Sequence, residues 1–142
     1  MIMSKKYKVG YTTGVYDMFH IGHLNIIKRA KEQCEYLIVG VTTDELCYSR
    51  KNKYPIINEN DRMEIVSAIK YVDKVVKQEN MDKISAVKEY GVDVVFVGSD
   101  WQGTPAWEKY EKEFANEGCS VVYLQHTDGI SSTILRERLN NQ

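Results

Sequence analysis

Short apolar runs alternate along this chain with segments of helical spacing. Residues 7–11, Tyr-Lys-Val-Gly-Tyr, alternate apolar and polar positions and predict a first strand. A helix is expected over 24–30. Residues 36–42, Tyr-Leu-Ile-Val-Gly-Val-Thr, form a nearly continuous apolar run, the pattern of a parallel strand buried on both faces. A polar loop is expected from about residue 44 to 60. Met63, Val66 and Ile69 then share one face of a helix over 61–69. Beyond it the pattern predicts a strand at 72–76, a helix at 84–90 that Gly91 can end, and a strand at 92–97. A helix at 104–116 closed by Gly118, a strand at 120–124 and a last helix at 131–139 complete the chain. Five strands alternating with helices predict a single α/β domain over residues 1–142, a five-stranded parallel sheet with helices on both faces. In such sheets ligands bind beyond the carboxyl ends of the strands, near the switch in strand order. The chemically unusual residues should therefore lie just after strands.

Composition narrows the partners. The 142 residues are enough for one domain with a substantial core. A formal charge of −1 gives no general attraction for nucleic acid or an anionic membrane, so any anion site must be local. No apolar run approaches the ~20 residues of a membrane span. Neither nucleic acid nor membrane is an expected partner. Cys34, Cys47 and Cys119 are odd in number and widely spaced, so no disulfide framework follows. With no signal peptide in view, a cytoplasmic setting is expected.

The candidate chemistry concentrates after the first strand. His20 and His23 lie three residues apart where a strand gives way to a helix. Helix N-termini offer free backbone N–H groups and a favourable dipole to an anion. Gly22 lacks a Cβ, which lets a bulky phosphate approach the backbone. The turn is suited to holding a phosphoryl group and stabilising charge that develops on it. A zinc site needs further ligands, and no CxxC or HExxH pattern is present.

Other stretches follow the remaining strands. Arg50, Lys51 and Lys53 read either as a solvated basic loop or as a loop that folds over a triphosphate. Asn58 or Asn60 can cap the next helix. Arg62 in that helix's first turn opposes the dipole by about 0.3–1 kcal/mol unless it serves a bound anion. Asp100 and Trp101 can engage a ribose, a base or a metal, or form an ordinary turn. Ser131, Ser132 and Thr133 open the last helix as caps. No Glu or Gln follows three residues after any of them, so no capping box competes with a phosphate for the open N–H groups.

Gly14-Val15-Tyr16-Asp17 followed by His20-Ile21-Gly22-His23 resembles the HxGH motif of the nucleotidyltransferase superfamily. Tyr71-Val72-Asp73-Lys74-Val75, Gly98-Ser99-Asp100-Trp101 and Thr127-Asp128-Gly129-Ile130-Ser131-Ser132-Thr133 resemble its cytidylyltransferase branch, above all the small bacterial glycerol-3-phosphate cytidylyltransferases. The resemblance spans about residues 8 to 139. It implies a Rossmann-like domain, a homodimer, and transfer of CMP from CTP to a small alcohol phosphate. Glycerol 3-phosphate is the first choice of acceptor, giving pyrophosphate and CDP-glycerol for cell-surface polymers. It also implies roles. His20 and His23 would stabilise the pentacoordinate α-phosphate, and Lys51, or Arg50 or Lys53 beside it, matches a mobile lysine. Arg62 matches an arginine that holds the phosphates. Thr12, Thr13, Gly14, Tyr16, Asp17, Gly22, Asp100, Trp101, Thr127, Gly129, Ile130, Ser131, Ser132 and Thr133 fall at nucleotide-binding positions. Mg²⁺ would bridge the nucleotide phosphates rather than sit among protein ligands.

Two positions depart from the family. His126 stands where the last motif usually has arginine, and Met81 lies about where the glycerol-phosphate enzymes carry tryptophan. His126 either replaces that arginine on a phosphate or faces solvent while the 50–53 loop takes over. Competing readings are the same chemistry on phosphocholine or phosphoethanolamine, or with ATP, and a nucleotide-sensing module without catalysis. A dinucleotide-dependent dehydrogenase needs GxGxxG after the first strand, and residue 14 onward does not supply it.

Overall fold

The computed structural model describes residues 5–141; residues 1–4 and 142, the ends of the expected 1–142 domain, lie outside the described residues. Five strands form one sheet: β1 Tyr7–Gly14, β2 Cys34–Thr42, β3 Lys74–Gln78, β4 Val94–Gly98 and β5 Ser120–Leu124. All pairings are parallel, in the order β3-β2-β1-β4-β5. The chain winds from β1 outward to β3, then crosses back to place β4 on the other side of β1. That reversal opens a crevice beyond the carboxyl ends of β1 and β4.

Six helices are found among the described residues: α1 Ile21–Gln33, α2 Asp44–Lys51, α3 Glu59–Ser67, α4 Lys83–Tyr90, α5 Pro105–Asn116 and α6 Ser132–Asn140. Ile27 and Ala30 of α1 and Val66 of α3 pack on one face of the sheet, against Leu37, Val39, Val41 and Phe96. Val87 of α4 and Trp107 and Phe114 of α5 pack on the other, against Tyr11 and Val95. Each fully buried side chain of this size contributes roughly 1.5–3 kcal/mol, so the two layers fix the crevice between them. No described helix is long and apolar enough to cross a membrane.

Two departures from the sequence pattern bear on the site. The first strand runs on to Gly14 rather than ending at Tyr11. With β2 and β4 on both sides, Thr12 is buried in the ladder and its hydroxyl donates to the Phe96 carbonyl at 3.0 Å. The expected loop after β2 begins as a helix. Thr43 caps α2, Asp44 and Glu45 occupy its first turn, Arg50 and Lys51 its last, and Asn52 ends it in the left-handed conformation. These are favourable termini, but Cys47 is the one buried residue of α2, so apolar periodicity could not reveal it. Asn58, not Asn60, caps α3 by accepting from the Asp61 amide. The two helix starts are also bonded to each other. Glu59 Oε1 accepts from the Asp44 amide, and Asp44 Oδ2 accepts from the Glu59 amide.

Candidate active site

A cavity of about 370 Å³ fills the crevice. Its floor is the carboxyl ends of β1 (Thr12, Thr13, Gly14) and β4 (Val97, Gly98), and its walls are the starts of α1 and α6 and the end of α2. Of the residues expected to bind a nucleotide or act on it, fifteen line it: those three of β1, Tyr16, Asp17, His20, Gly22, His23, Lys51, Trp101, His126, Ile130, Ser131, Ser132 and Thr133.

The two histidines cap the helix they introduce. His20 is the N-cap of α1, outside the first turn, and His23 is its third residue. The Gly22 amide donates to His20 Nδ1 at 3.0 Å, and the His20 amide donates to His23 Nδ1 at 3.2 Å. This is a capping box with imidazoles in both roles. Because each Nδ1 accepts, each neutral ring carries its proton on Nε2. The rings stack with centroids 3.8 Å apart. Burial lowers the pKa of both, and His20 beside it helps take His23 down to about 4, so both rings are neutral donors at pH 7. His20 Nε2 is buried and has no hydrogen-bond partner among the described residues. An unpaired buried donor is costly and calls for an acceptor. Gly22 has a different reason from the one expected: a Cβ there would lie 2.8 Å from the His20 ring. The glycine makes room for the histidine rather than for the phosphate directly. Tyr16, itself buried, stands edge-on to His23 at 5.4 Å and backs that ring.

α6 forms the opposite wall. Ser131 caps it by accepting from the Ile134 amide, and the Ser132 hydroxyl donates to the Asp17 carbonyl at 2.7 Å. The Asp17 carboxylate accepts from the Ile56 and Ile57 amides and pairs with Arg136. Burial raises its pKa, but these donors outweigh burial and hold it below the usual carboxylate range.

Three of the cavity's cations come from α2 and its exit (Lys51, Lys53) and from α4 (Lys83). Lys83 donates to the Thr13 hydroxyl at 2.9 Å and lies over the Trp107 ring. Burial, with Arg50 adding like-charge repulsion, lowers its pKa to about 8. A half-buried ammonium whose one side-chain hydrogen bond among the described residues goes to a hydroxyl suits an incoming anion.

Four expected residues are not on the cavity wall. Arg62 is fully buried behind the turn. It donates to the carbonyls of Ile57, Val15 and Thr42 and pairs with Asp44 at 2.5 Å. Four of its five N–H donors are thus taken by the protein, and its place in the first turn of α3 is explained by those carbonyls, not by a bound phosphate. Asp100 lies at the rim, exposed, and accepts from His126 Nε2 at 2.8 Å. Thr127 accepts from the Asn25 side chain at 2.8 Å, and Gly129 provides a left-handed turn. His126 faces the cavity, and its ring lies against Gly98, where a Cβ would come within 2.7 Å of Nε2. Trp101 is exposed at the mouth.

Lys83, Trp107 and Arg136 are the functional candidates that sequence reading missed. A cation at the start of α4 was a signal of the kind noted for Arg62. Arg136 follows Ser132 by one helical turn and so shares its face. Among the described residues no group of three or more His, Cys, Asp or Glu is placed to hold a metal ion. The cavity's imidazoles, ammoniums, hydroxyls and guanidinium suit phosphate oxygens, which are themselves good ligands for Mg²⁺.

Paired imidazole donors at the switch point of a parallel sheet, facing a helix N-terminus and several cations, define an α/β site for phosphoryl groups. A model of the cytidylyltransferase-like family matches residues 11–138. A glycerol-3-phosphate cytidylyltransferase of Staphylococcus aureus is 36% identical over 129 residues, covering 90% of this chain and 92% of its own length. A FAD synthase of Thermococcus sibiricus is 33% identical over 126 residues, covering 87% and 85%. The crystal structure of a lipopolysaccharide core biosynthesis protein from Thermoplasma volcanium has a TM-score of 0.70 at 27% identity, covering 84% of this chain and 96% of that one. The chain belongs to the cytidylyltransferase-like family of nucleotidyltransferases.

Proposed function

We propose that the protein transfers CMP from CTP to glycerol 3-phosphate, releasing pyrophosphate and CDP-glycerol. The observation that carries the nucleotidyl-transfer chemistry is the unpartnered, buried His20 Nε2 beside His23 at the switch point. The choice of CTP and of this acceptor rests on similarity to glycerol-3-phosphate cytidylyltransferases over nine-tenths of the chain. An oxygen of the acceptor's phosphate attacks the α-phosphorus of CTP. The new P–O bond forms as the bond to the bridging oxygen breaks, and pyrophosphate leaves with that electron pair. No covalent enzyme intermediate is needed. The two Nε2–H groups donate to the α-phosphate oxygens as charge builds on them. Arg136 and the start of α6 take the β- and γ-phosphates. Lys83 and Lys51 neutralise the acceptor phosphate and the leaving group, and His126, steadied by Asp100, adds a donor at the rim. Mg²⁺ would be held by the phosphates of the nucleotide rather than by protein carboxylates, and would supply neutralisation of part of their charge. The working unit is a homodimer.

Pyrophosphate release tests this reading, with Mg²⁺, each nucleoside triphosphate in turn, and glycerol 3-phosphate, phosphocholine and phosphoethanolamine as acceptors. Turnover with CTP and glycerol 3-phosphate well above every other pair is expected. Preference for ATP overturns the nucleotide, preference for an amino-alcohol phosphate overturns the acceptor, and no turnover with any pair overturns catalysis.

A further inference from the structure

We infer that Asp17 is a positioning residue that sets two phosphate-binding arms at once, and that it contacts neither nucleotide nor metal. The inference rests on the proposed nucleotidyl transfer. Asp17 belongs to the cavity wall, yet it is 2% exposed. Tyr16 and Met18 on either side of it have φ of 55° and 50°. The left-handed conformation costs a residue with a side chain about 1–2 kcal/mol, so the turn is strained at two positions to turn Asp17 inward. There Oδ1 accepts from the Ile57 amide at 2.9 Å, and Oδ2 accepts from the Ile56 amide at 2.9 Å and from Arg136.

Those partners belong to two separate arms. Ile56 and Ile57 end the short strap that leaves α2 and carries Lys53 and Tyr54 into the cavity wall. Arg136 belongs to α6, whose first turn is also tied to the Asp17 carbonyl through Ser132. One carboxylate therefore holds the strap by its backbone and orients the guanidinium fork. A planar fork tied to a carboxylate through one terminal nitrogen keeps its other N–H groups for an anion. Three of the carboxylate's roughly four acceptor positions are occupied from within the protein. It is poorly placed to coordinate an ion.

Inorganic tripolyphosphate is the probe, because it reads the phosphate arms without depending on the base. Its affinity is measured by calorimetry for wild type, Asp17→Asn, Arg136→Gln and the double variant. Each single change is expected to weaken binding about 10-fold or more, the loss of a hydrogen bond to a charged group. The double variant should bind no worse than about 3-fold below the weaker single, since contacts in one network do not add. Amide exchange at Ile56 and Ile57 should quicken in Asp17→Asn and stay slow in Arg136→Gln. The Mg²⁺ concentration for half-maximal turnover should be unchanged in Asp17→Asn. Multiplicative losses overturn the inference by separating Asp17 from Arg136, and a raised Mg²⁺ requirement overturns it by making Asp17 a metal ligand. If Asp17→Asn does not fold, Arg136→Lys takes its place: lysine cannot bridge carboxylate and phosphate in one plane, so undiminished tripolyphosphate binding overturns the inference. Wild type that neither binds tripolyphosphate nor releases pyrophosphate overturns the proposed function as well, whereas additive losses in an active enzyme overturn the role of Asp17 alone.

Discussion

Arg62 lies behind the turn that joins β1 to α1, and His20 and His23 lie in front of it. Both regions bring donor-rich side chains to the same few residues of backbone. Behind the turn, the guanidinium is completely buried and its donors end on Val15, Thr42, Ile57 and Asp44. In front, each imidazole uses Nδ1 to cap α1 and keeps Nε2 as a donor, and His20 Nε2 finds no partner among the described residues. Occupied donors hold the carboxyl ends of β1 and β2 together. Free donors await a ligand. The difference lies in which acceptors the surrounding elements bring within reach, not in the donors' own strength.

The largest expected effect is on the front side. His20→Ala and His23→Ala should each lower kcat by ~10²–10⁴, with much less effect on the nucleotide KM, because the donors act on charge present only in the transition state. Steady-state kinetics beside a thermal melt checks this. An unchanged kcat in a folded variant would remove the contrast between the two regions.

Arg62→Met should act in the opposite way. It leaves three carbonyls and Asp44 without their buried partner, a loss of about 3–5 kcal/mol of stability. Denaturant unfolding measures it, and the kcat of the fraction that remains folded should fall less than in His20→Ala. A folded, fully stable Arg62→Met with kcat lost as in His20→Ala would place Arg62 on the phosphates after all.

The smallest effect sharpens the comparison through pH. Lys83 donates to the Thr13 hydroxyl, and burial has lowered its pKa to about 8. Below that pH it is charged and attracts phosphate; as pH rises through it, the amine becomes neutral and affinity falls. The same shift makes the unfolded chain the better proton binder between about 8 and the ordinary lysine value of ~10.4. This group's contribution to stability therefore rises with pH over the range in which binding weakens. Tripolyphosphate affinity should decline several-fold between pH 7 and 9.5 in wild type and stay flat in Lys83→Arg. A flat wild-type profile would show that Lys83 takes no part.

Much of this was legible in the chain. The alternation of apolar runs and helical spacing placed all five strands in order, and Gly91, Gly118 and Ser131 marked helix ends. The histidine turn and the start of α6 were legible too, because both are local: a strand end, a helix start and the side chains between them lie within a few residues. Helix α2 escaped because its stabilisation comes from its caps and from α3 rather than from an apolar stripe.

The role of each arginine was decided by the tertiary structure. Nothing within four residues distinguishes Arg62, which meets carbonyls just after β1, in β2 and in the strap, from Arg136, which meets a carboxylate 119 positions away and the open cavity. Lys83 likewise became a site residue when α4 was laid beside Thr13, 70 positions earlier. Local spacing determines whether a segment can be a strand, a helix or a turn that accepts an anion. Whether a polar side chain is free to bind a ligand depends on which distant acceptors reach it first, and only the packed sheet and its two layers of helices determine that.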